Sequence, residues 1–268
     1  MKQNVSRSAY KVNNLDAGMT PLVSVIIPIL AADRDAARQL IARIPLDLHV
    51  ETVVAEAGTE LGLESLSQGR PDVTVVHTQQ GRGRQMNAAA GLARGEWLLF
   101  LHADSQLPPD WLNLLEASVR RQEHGTGSGP GPPDPGPSDI VGGWFQFALD
   151  DPAWQARLIE HVVAWRIRLL RLPYGDQGLF VQRRTFAALG GYREIELMED
   201  VDFVRRMIKT GAVVELPRAL MTSARRWRRD GWFRRSTRNV TLLALYFCGV
   251  PPRVLARWYS SSVLSSEL

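Results

Sequence analysis

Four apolar runs, each rich in β-branched residues and each followed by turn or helix signals, constrain this chain more than any other feature. They are VSVIIPIL (Val23–Leu30), the stretch LHVETVVAEAG (48–58), DVTVVHT (72–78) and WLLFLHAD (97–104). Short continuous apolar runs of this kind are buried strands, because residues hidden on both faces of a sheet need no polar alternation. Between the first two lies DRDAARQLIARIP, an amphipathic pattern with Asp33 as the expected N-cap and Pro45 as the stop. Between the last two lies GRQMNAAAGLARGE, expected to be helical to near Gly95. Strands alternating with helices predict βαβ units, a mostly parallel central sheet and an α/β fold flanked by helices.

The rest of the chain extends this pattern. Asp110 is placed to cap a helix through WLNLLEASVRRQE, and IVGGWFQFAL (140–149) reads as a further strand. PAWQARLIEHVVAWRIRLLR predicts a helix with Trp154, Leu158, Val162, Trp165 and Leu169 on one apolar face. The expected organisation is a loose polar tail over 1–20 and a single domain over 21–260. That domain includes an unstructured Gly/Pro-rich insertion near 124–139 and a C-terminal helical region near 239–260. The run VTLLALYFCGV (Val240–Val250) is too short to span a bilayer and stops at Pro251, so it is expected to be a buried helix, with a helix lying on a membrane surface as the alternative. The single cysteine, Cys248, leaves no internal disulfide and suits a cytoplasmic setting.

Three polar segments could carry chemistry. Asp104 follows the fourth strand, where open α/β sheets place ligands, and one carboxylate plus substrate phosphates can hold Mg²⁺ or Mn²⁺. It would equally suit a turn before Pro108. Gly81, Arg82, Gly83 and Arg84 lie between a strand and a helix and could face an anion. They lack both the third glycine of a dinucleotide fingerprint and the Gly-Lys-Ser/Thr of a P-loop. Glu199, Asp200 and Asp202 open a helix, which favours acids for capping and would also hold a general base. Asp176 and Gln177 sit between glycines in a loop that could line a pocket. Net charge is only +4, yet Arg218, Arg225, Arg226, Arg228, Arg229, Arg234, Arg235 and Arg238 crowd a region whose one acid is Asp230. Such a cluster suits a nucleotide diphosphate, anionic lipid headgroups or nucleic acid, or forms a plain solvated basic face.

In order along the chain, VSVIIP, the acid after the second strand, GRGRQMNAAAGLARGEWLLFLHADSQLP, YGDQGLFVQRR, GGYREIELMEDVDF and SARRWRRDGW resemble glycosyltransferase family 2, and within it the radical-SAM/selenodomain-associated subgroup. The resemblance implies a GT-A fold, with a nucleotide-binding half merged with an acceptor half. It also implies an inverting transfer of a sugar from a nucleotide-sugar donor to a hydroxyl acceptor, with Mn²⁺ or Mg²⁺ bound. On that pattern Asp104 would bind the metal, with His102 a supporting ligand or a hydrogen-bond donor to the groups around the metal; a strand-end histidine packed in the core is the equal alternative. Glu56 would meet the nucleoside, and Gly81, Arg82, Gly83, Arg84 and Asn87 would lie beside the nucleotide. Asp176 and Gln177 would line the pocket. Asp200 would be the base with Glu199 assisting, and Arg226 and Trp227 would neutralise the leaving diphosphate. The sequence departs from the family pattern at Ala31-Ala32, at Glu56 and at Ser223, which bears on the base pocket and on activity. A lipid-linked acceptor and a peripheral contact with an anionic membrane are further expectations; nucleic acid is not expected as a partner. The alternatives are a nucleotidyltransferase and a non-catalytic nucleotide- or membrane-binding homologue.

Overall fold

The computed structural model describes residues 9–10, 20–58, 67, 69–120 and 140–264. The four apolar runs become β2 (Val23–Leu30), β3 (Val50–Ala57), β4 (Val73–Thr78) and β5 (Trp97–Phe100), after a short β1 (Ala9–Tyr10). They pair in parallel in the spatial order β4-β3-β2-β5, and β1 pairs antiparallel along β4. The expected tail therefore includes a two-residue strand; its other residues, apart from Thr20, lie outside those described, as does the Gly/Pro insertion.

Beyond β5 the sheet becomes mixed. It continues through β8 (Leu179–Gln182), β7 (Ile140–Leu149) and β9 (Ala212–Thr222) to the short β6 (Ser105–Gln106). The β5–β8, β8–β7 and β9–β6 pairs are antiparallel, while β7 and β9 run parallel.

Alternate residues of β2 feed two cores because successive side chains of a strand leave on opposite faces. Val23, Val25, Ile27 and Ile29 pack with Ala37, Leu40 and Ile41 of α1 (Arg34–Arg43) and with Trp111 and Leu115 of α3 (Trp111–Arg120). Ile26 packs on the other face with Met86 and Ala89 of α2 (Arg82–Ala90) and with Val201, Val204 and Met207 of α6 (Glu199–Met207). A buried carboxylate locks the turn between α2 and β5 onto this frame. Glu51 accepts hydrogen bonds from Ser24 Oγ at 2.6 Å, from the Arg94 and Gly95 amides, and from Arg94 Nε at 2.9 Å. The start of β5 is thereby fixed, and with it the place where His102 and Asp104 leave the sheet.

Several boundaries and orientations differ from expectation. Asp33 occupies the N-cap position of α1 as expected, but its side chain makes no capping bond to that helix; its Oδ2 instead accepts from the Leu30 amide at 3.1 Å, closing a 3-10 turn over Ala31–Asp33. Helix α2 stops at Ala90, not near Gly95, because Gly91 ends it and the Glu51 contacts hold the following turn. The carboxylate of Asp110 pairs with Arg218 at 3.3 Å. In α4 (Trp154–Leu170) the expected apolar stripe faces solvent, and Ala156, Ile159 and Ile167 are the buried residues. Helix α8 (Trp232–Phe247) buries Leu242 and Leu243 but exposes Val240 and Phe247, so it is only half buried. Between them lie α5 (Arg183–Ala188) and α7 (Arg225–Asp230), and α9 (Pro252–Leu264) closes the described chain.

Gly143 permits the close approach of three strands. It pairs with Phe180 of β8 and Val214 of β9, and a Cβ there would lie 2.0 Å from the Val214 carbonyl oxygen. Gly143→Ala should lower stability by about 1–3 kcal/mol through overpacking, read as an earlier urea midpoint with an unchanged slope.

Candidate active site

Strands β2 and β5 are hydrogen-bonded neighbours, and the Leu101 amide still donates to the Ile26 carbonyl at 2.9 Å. The chain then turns, so His102, Ala103 and Asp104 emerge beside Pro28–Leu30 and the first turn of α2. Gly81 precedes that helix with φ 141°, a conformation that favours glycine. Gln85 fixes the junction by donating to the Ile29 and Ala55 carbonyls at 2.7 and 2.9 Å, which ties α2 to the ends of β2 and β3.

Two clefts meet here. One is lined by Pro28, Ile29, Leu30, Asp33, Gln80, Gly81, Gln85, Ala103 and Glu196. The other is lined by Tyr174, Asp176, Leu197, Met198, Glu199, Asp200, Thr222, Ser223 and Trp227, together with Arg235, Asn239, Leu242 and Tyr259 from the C-terminal helices. Arg82, His102, Asp104 and Arg226 border both. The second cleft encloses about 870 Å³, counting space open to solvent.

Arg82 joins the two sides. Its Nη2 donates to His102 Nε2, and its Nε lies 3.4 Å from Glu199 Oε1. Burial, then the charges of Arg82 and Arg226, holds the His102 imidazole well below its usual pKa, so the ring is neutral. With Nε2 accepting from Arg82, the ring proton belongs on Nδ1. This geometry favours a supporting role for His102 over direct metal ligation. Among the described residues the Asp104 carboxylate has no hydrogen-bond or ion-pair partner, and no group of three or more His, Cys, Asp or Glu could hold a metal. A lone carboxylate open to both clefts fits a hard divalent cation only when substrate oxygens complete the shell.

The acidic pair is held from both sides. Met198, with φ 67°, turns the chain into α6 and accepts from the Asp202 amide at 2.9 Å. Asp200 Oδ2 accepts from the Gly175 amide at 2.7 Å and Oδ1 from the Val201 amide at 2.8 Å, which fixes its orientation. Asp202 points away, paired with Arg193 and Arg206. Burial and then the neighbouring Asp200 charge push Glu199 from 4.5 to about 7, against the opposing pull of Arg82. Burial also raises Asp176, with Arg166 opposing and Asp200 adding to the rise.

Other expected site residues have structural partners. Glu56 is 1% exposed, pairs with Arg34 at 2.6 Å and lines neither cleft. Asn87 clasps the loop after α5, donating to the Tyr192 carbonyl at 2.8 Å and accepting from its amide at 2.9 Å. Gly83 lets that loop approach, since a Cβ would lie 2.7 Å from the Arg193 carbonyl oxygen. Arg84 pairs with Glu194 at 2.7 Å. Gln177 is fully buried, donating to the Phe145 carbonyl and accepting from the Tyr174 amide. Trp227 does line the cleft. Its ring packs near Phe147 under Arg235, and its Nε1 has no hydrogen-bond partner.

The arginine cluster is not a uniform basic face. Buried Asp230 pairs with Arg229, Arg235 and Arg238, and Arg228 pairs with Asp151. Tyr174, Thr222, Asn239 and Tyr259 were not singled out by sequence reasoning. They come from separate elements with no motif among them, and only topology brings them to the cleft.

The raised Glu199 has a consequence for stability. Between about pH 4.5 and pH 7 the folded carboxyl keeps a proton that the unfolded one has lost, so stability falls as pH rises through that window and levels off above it. Glu199→Gln should therefore be more stable than the parent at pH 8, by roughly 1–3 kcal/mol. The gain should shrink toward zero at pH 4, read by urea unfolding at both pH values.

Residues 53–129 match the family described as Glycosyl transferase family 2. No curated protein matches the sequence. Among solved structures, S. aureus TarS 1-349 in complex with UDP-GlcNAc is 15% identical with a TM-score of 0.54, over 75% of this chain and 58% of that one. Mannosyltransferase PcManGT from Pyrobaculum calidifontis, in complex with GDP-Man and Mn²⁺, is 16% identical with a TM-score of 0.56, over 93% of this chain and 72% of that one. The chain thus spans less than two thirds of the TarS structure's length. These likenesses establish a GT-A fold. The chain thus carries, over residues 53–129, a segment similar to glycosyl transferase family 2, set in a GT-A fold.

Proposed function

We propose that the protein transfers a sugar from a nucleotide-sugar donor to a hydroxyl acceptor, with inversion at the anomeric carbon and with a bound divalent cation. The observation that carries this reading is the pair of clefts separated by Arg82, His102, Asp104 and Arg226. Cations and a lone carboxylate form the shared border, and paired acids lie in one cleft only. That division suits a leaving diphosphate on one side and an acceptor on the other. The structures of TarS with UDP-GlcNAc and of PcManGT with GDP-Man and Mn²⁺ support the donor class and the metal. The radical-SAM/selenodomain-associated subgroup remains the narrower resemblance of the motifs.

In this reading the acceptor oxygen attacks the anomeric carbon, and the carbon–oxygen bond to the diphosphate breaks with its electron pair leaving on the nucleoside diphosphate. The hydroxyl proton passes to Asp200, whose backbone hydrogen bonds aim it without a rotamer search. Glu199, partly protonated near neutral pH, limits the negative charge beside Asp200. Arg82 and Arg226 offset charge that grows on the leaving diphosphate, in a site where preformed charges need not reorganise. Asp104 would hold the cation together with diphosphate oxygens, and the cation would supply Lewis-acid neutralisation there. Direct displacement needs one base, not the two flanking carboxyls of a glycosidase.

Isothermal calorimetry with UDP- and GDP-sugars, with and without Mn²⁺, tests the donor half; no metal-dependent binding of any of them would refute it. Asp104→Ala should abolish the metal-dependent component of that binding, a loss of tenfold or more in affinity. Asp200→Asn should lower turnover by about 10²–10⁴-fold while donor affinity stays within twofold, measured by nucleotide release alongside calorimetry.

A further inference from the structure

We propose that the outward face of α4, continued by Phe233 of α8, is a docking surface for an anionic membrane. Helix α4 runs 17 residues, about 25 Å at the usual rise, and buries only Ala156, Ile159 and Ile167. Trp154, Leu158, Val162, Trp165 and Leu169 recur at helical spacing on its outer side, with Trp165 67% and Leu169 64% exposed. An apolar stripe of this extent on one helix needs an occupant. It does not end with the helix, since the Trp154 ring lies 6.0 Å from that of Phe233, itself 54% exposed.

The charges beside the stripe select the occupant. Arg168 and Arg171 are exposed at the C-terminal end of α4, and Arg234 is exposed next to Phe233. None of the three has an acidic partner among the described residues, unlike Arg228, Arg229, Arg235 and Arg238. The one acid of α4, Glu160, is 14% exposed and turned inward, accepting from the Leu149 amide at 2.8 Å and pairing with Arg157. Helix α8 contains no acid. Tryptophan and leucine on one side with unpaired arginine alongside is the composition of a helix lying in a lipid interface, where rings sit at headgroup depth and arginines meet lipid phosphates. A two-fold contact with a second copy would set this arginine edge against itself.

The same helix also supports the catalytic cleft. On its inner side Arg166 lies 3.5 Å over the Tyr174 ring, which lines the cleft holding Glu199 and Asp200. Docking through α4 would therefore seat that cleft wall against the membrane side of the protein.

Co-sedimentation of the full chain with vesicles of phosphatidylcholine alone, or of phosphatidylcholine and phosphatidylglycerol at three to one, tests the proposal. The chain should pellet with the anionic vesicles only, and less at high salt. Trp165→Ser/Leu169→Ser and Arg168→Glu/Arg171→Glu should each reduce the bound fraction at least fivefold, with thermal melting and nucleotide-sugar binding unchanged. Three results would overturn it: no binding to anionic vesicles, binding that survives both double variants, or a dimer in sedimentation velocity that Trp165→Ser/Leu169→Ser dissociates. Vesicle binding that depends on α4 in a chain that binds no nucleotide sugar would uphold the docking surface and count only against the sugar-transfer reading.

Discussion

A single guanidinium holds the two halves of this site in register. Arg82 is delivered by the first turn of α2, donates to the imidazole that follows β5, and faces the carboxylate that opens α6. Each contact alone would be an ordinary polar pair. Together they connect three elements that belong to different parts of the chain. A partly buried cation of this kind is tolerable because it has a lone pair on one side and an acid on the other. It also adds to the charge states nearby: burial is the larger cause that keeps the imidazole neutral, with Arg82 reinforcing it, and Arg82 opposes the upward push of burial on the glutamate.

Much of this arrangement could be read from the residues. The parallel strands follow directly from the four apolar runs, and IVGGWFQFAL coincides with β7 residue for residue. Asp104, Arg82, Arg226, Asp176 and the Glu199–Asp200 pair converge on one region, as an ordered set of motifs would require. What escaped the sequence has a common physical cause. Helical periodicity shows that Trp154, Trp165 and Leu169 share a face but not which way that face points, and the structure turns it to solvent. Likewise Asn87, Gly83 and Gln177 stand in polar, glycine-rich segments, yet the structure uses them to fasten loops. A motif places a residue near a site; only packing decides whether its polar atoms face inward to the backbone or outward to a ligand.

The arginine-rich segment illustrates the same limit. Eight arginines around one acid suggest a single electrostatic surface, yet Asp230 is buried and organises three of them. Arg226 remains at the cleft border, and Arg235, stacked over Trp227, lines the same cleft while bonded to Asp230. Part of what reads as charge for a partner is thus scaffolding that positions the remainder.

The two clefts are built from different materials. The one bordered by Pro28–Leu30 and Gly81 is made from strand ends and the helix start that Gln85 ties to them, all within the parallel part of the sheet. The far wall of the other comes from side chains of α8 and α9, Asn239, Leu242 and Tyr259, which belong to no strand. Substitutions there can reshape one pocket without disturbing the ladder that shapes its neighbour. The two clefts can therefore vary independently, because one is walled by strand ends and the other by the C-terminal helices.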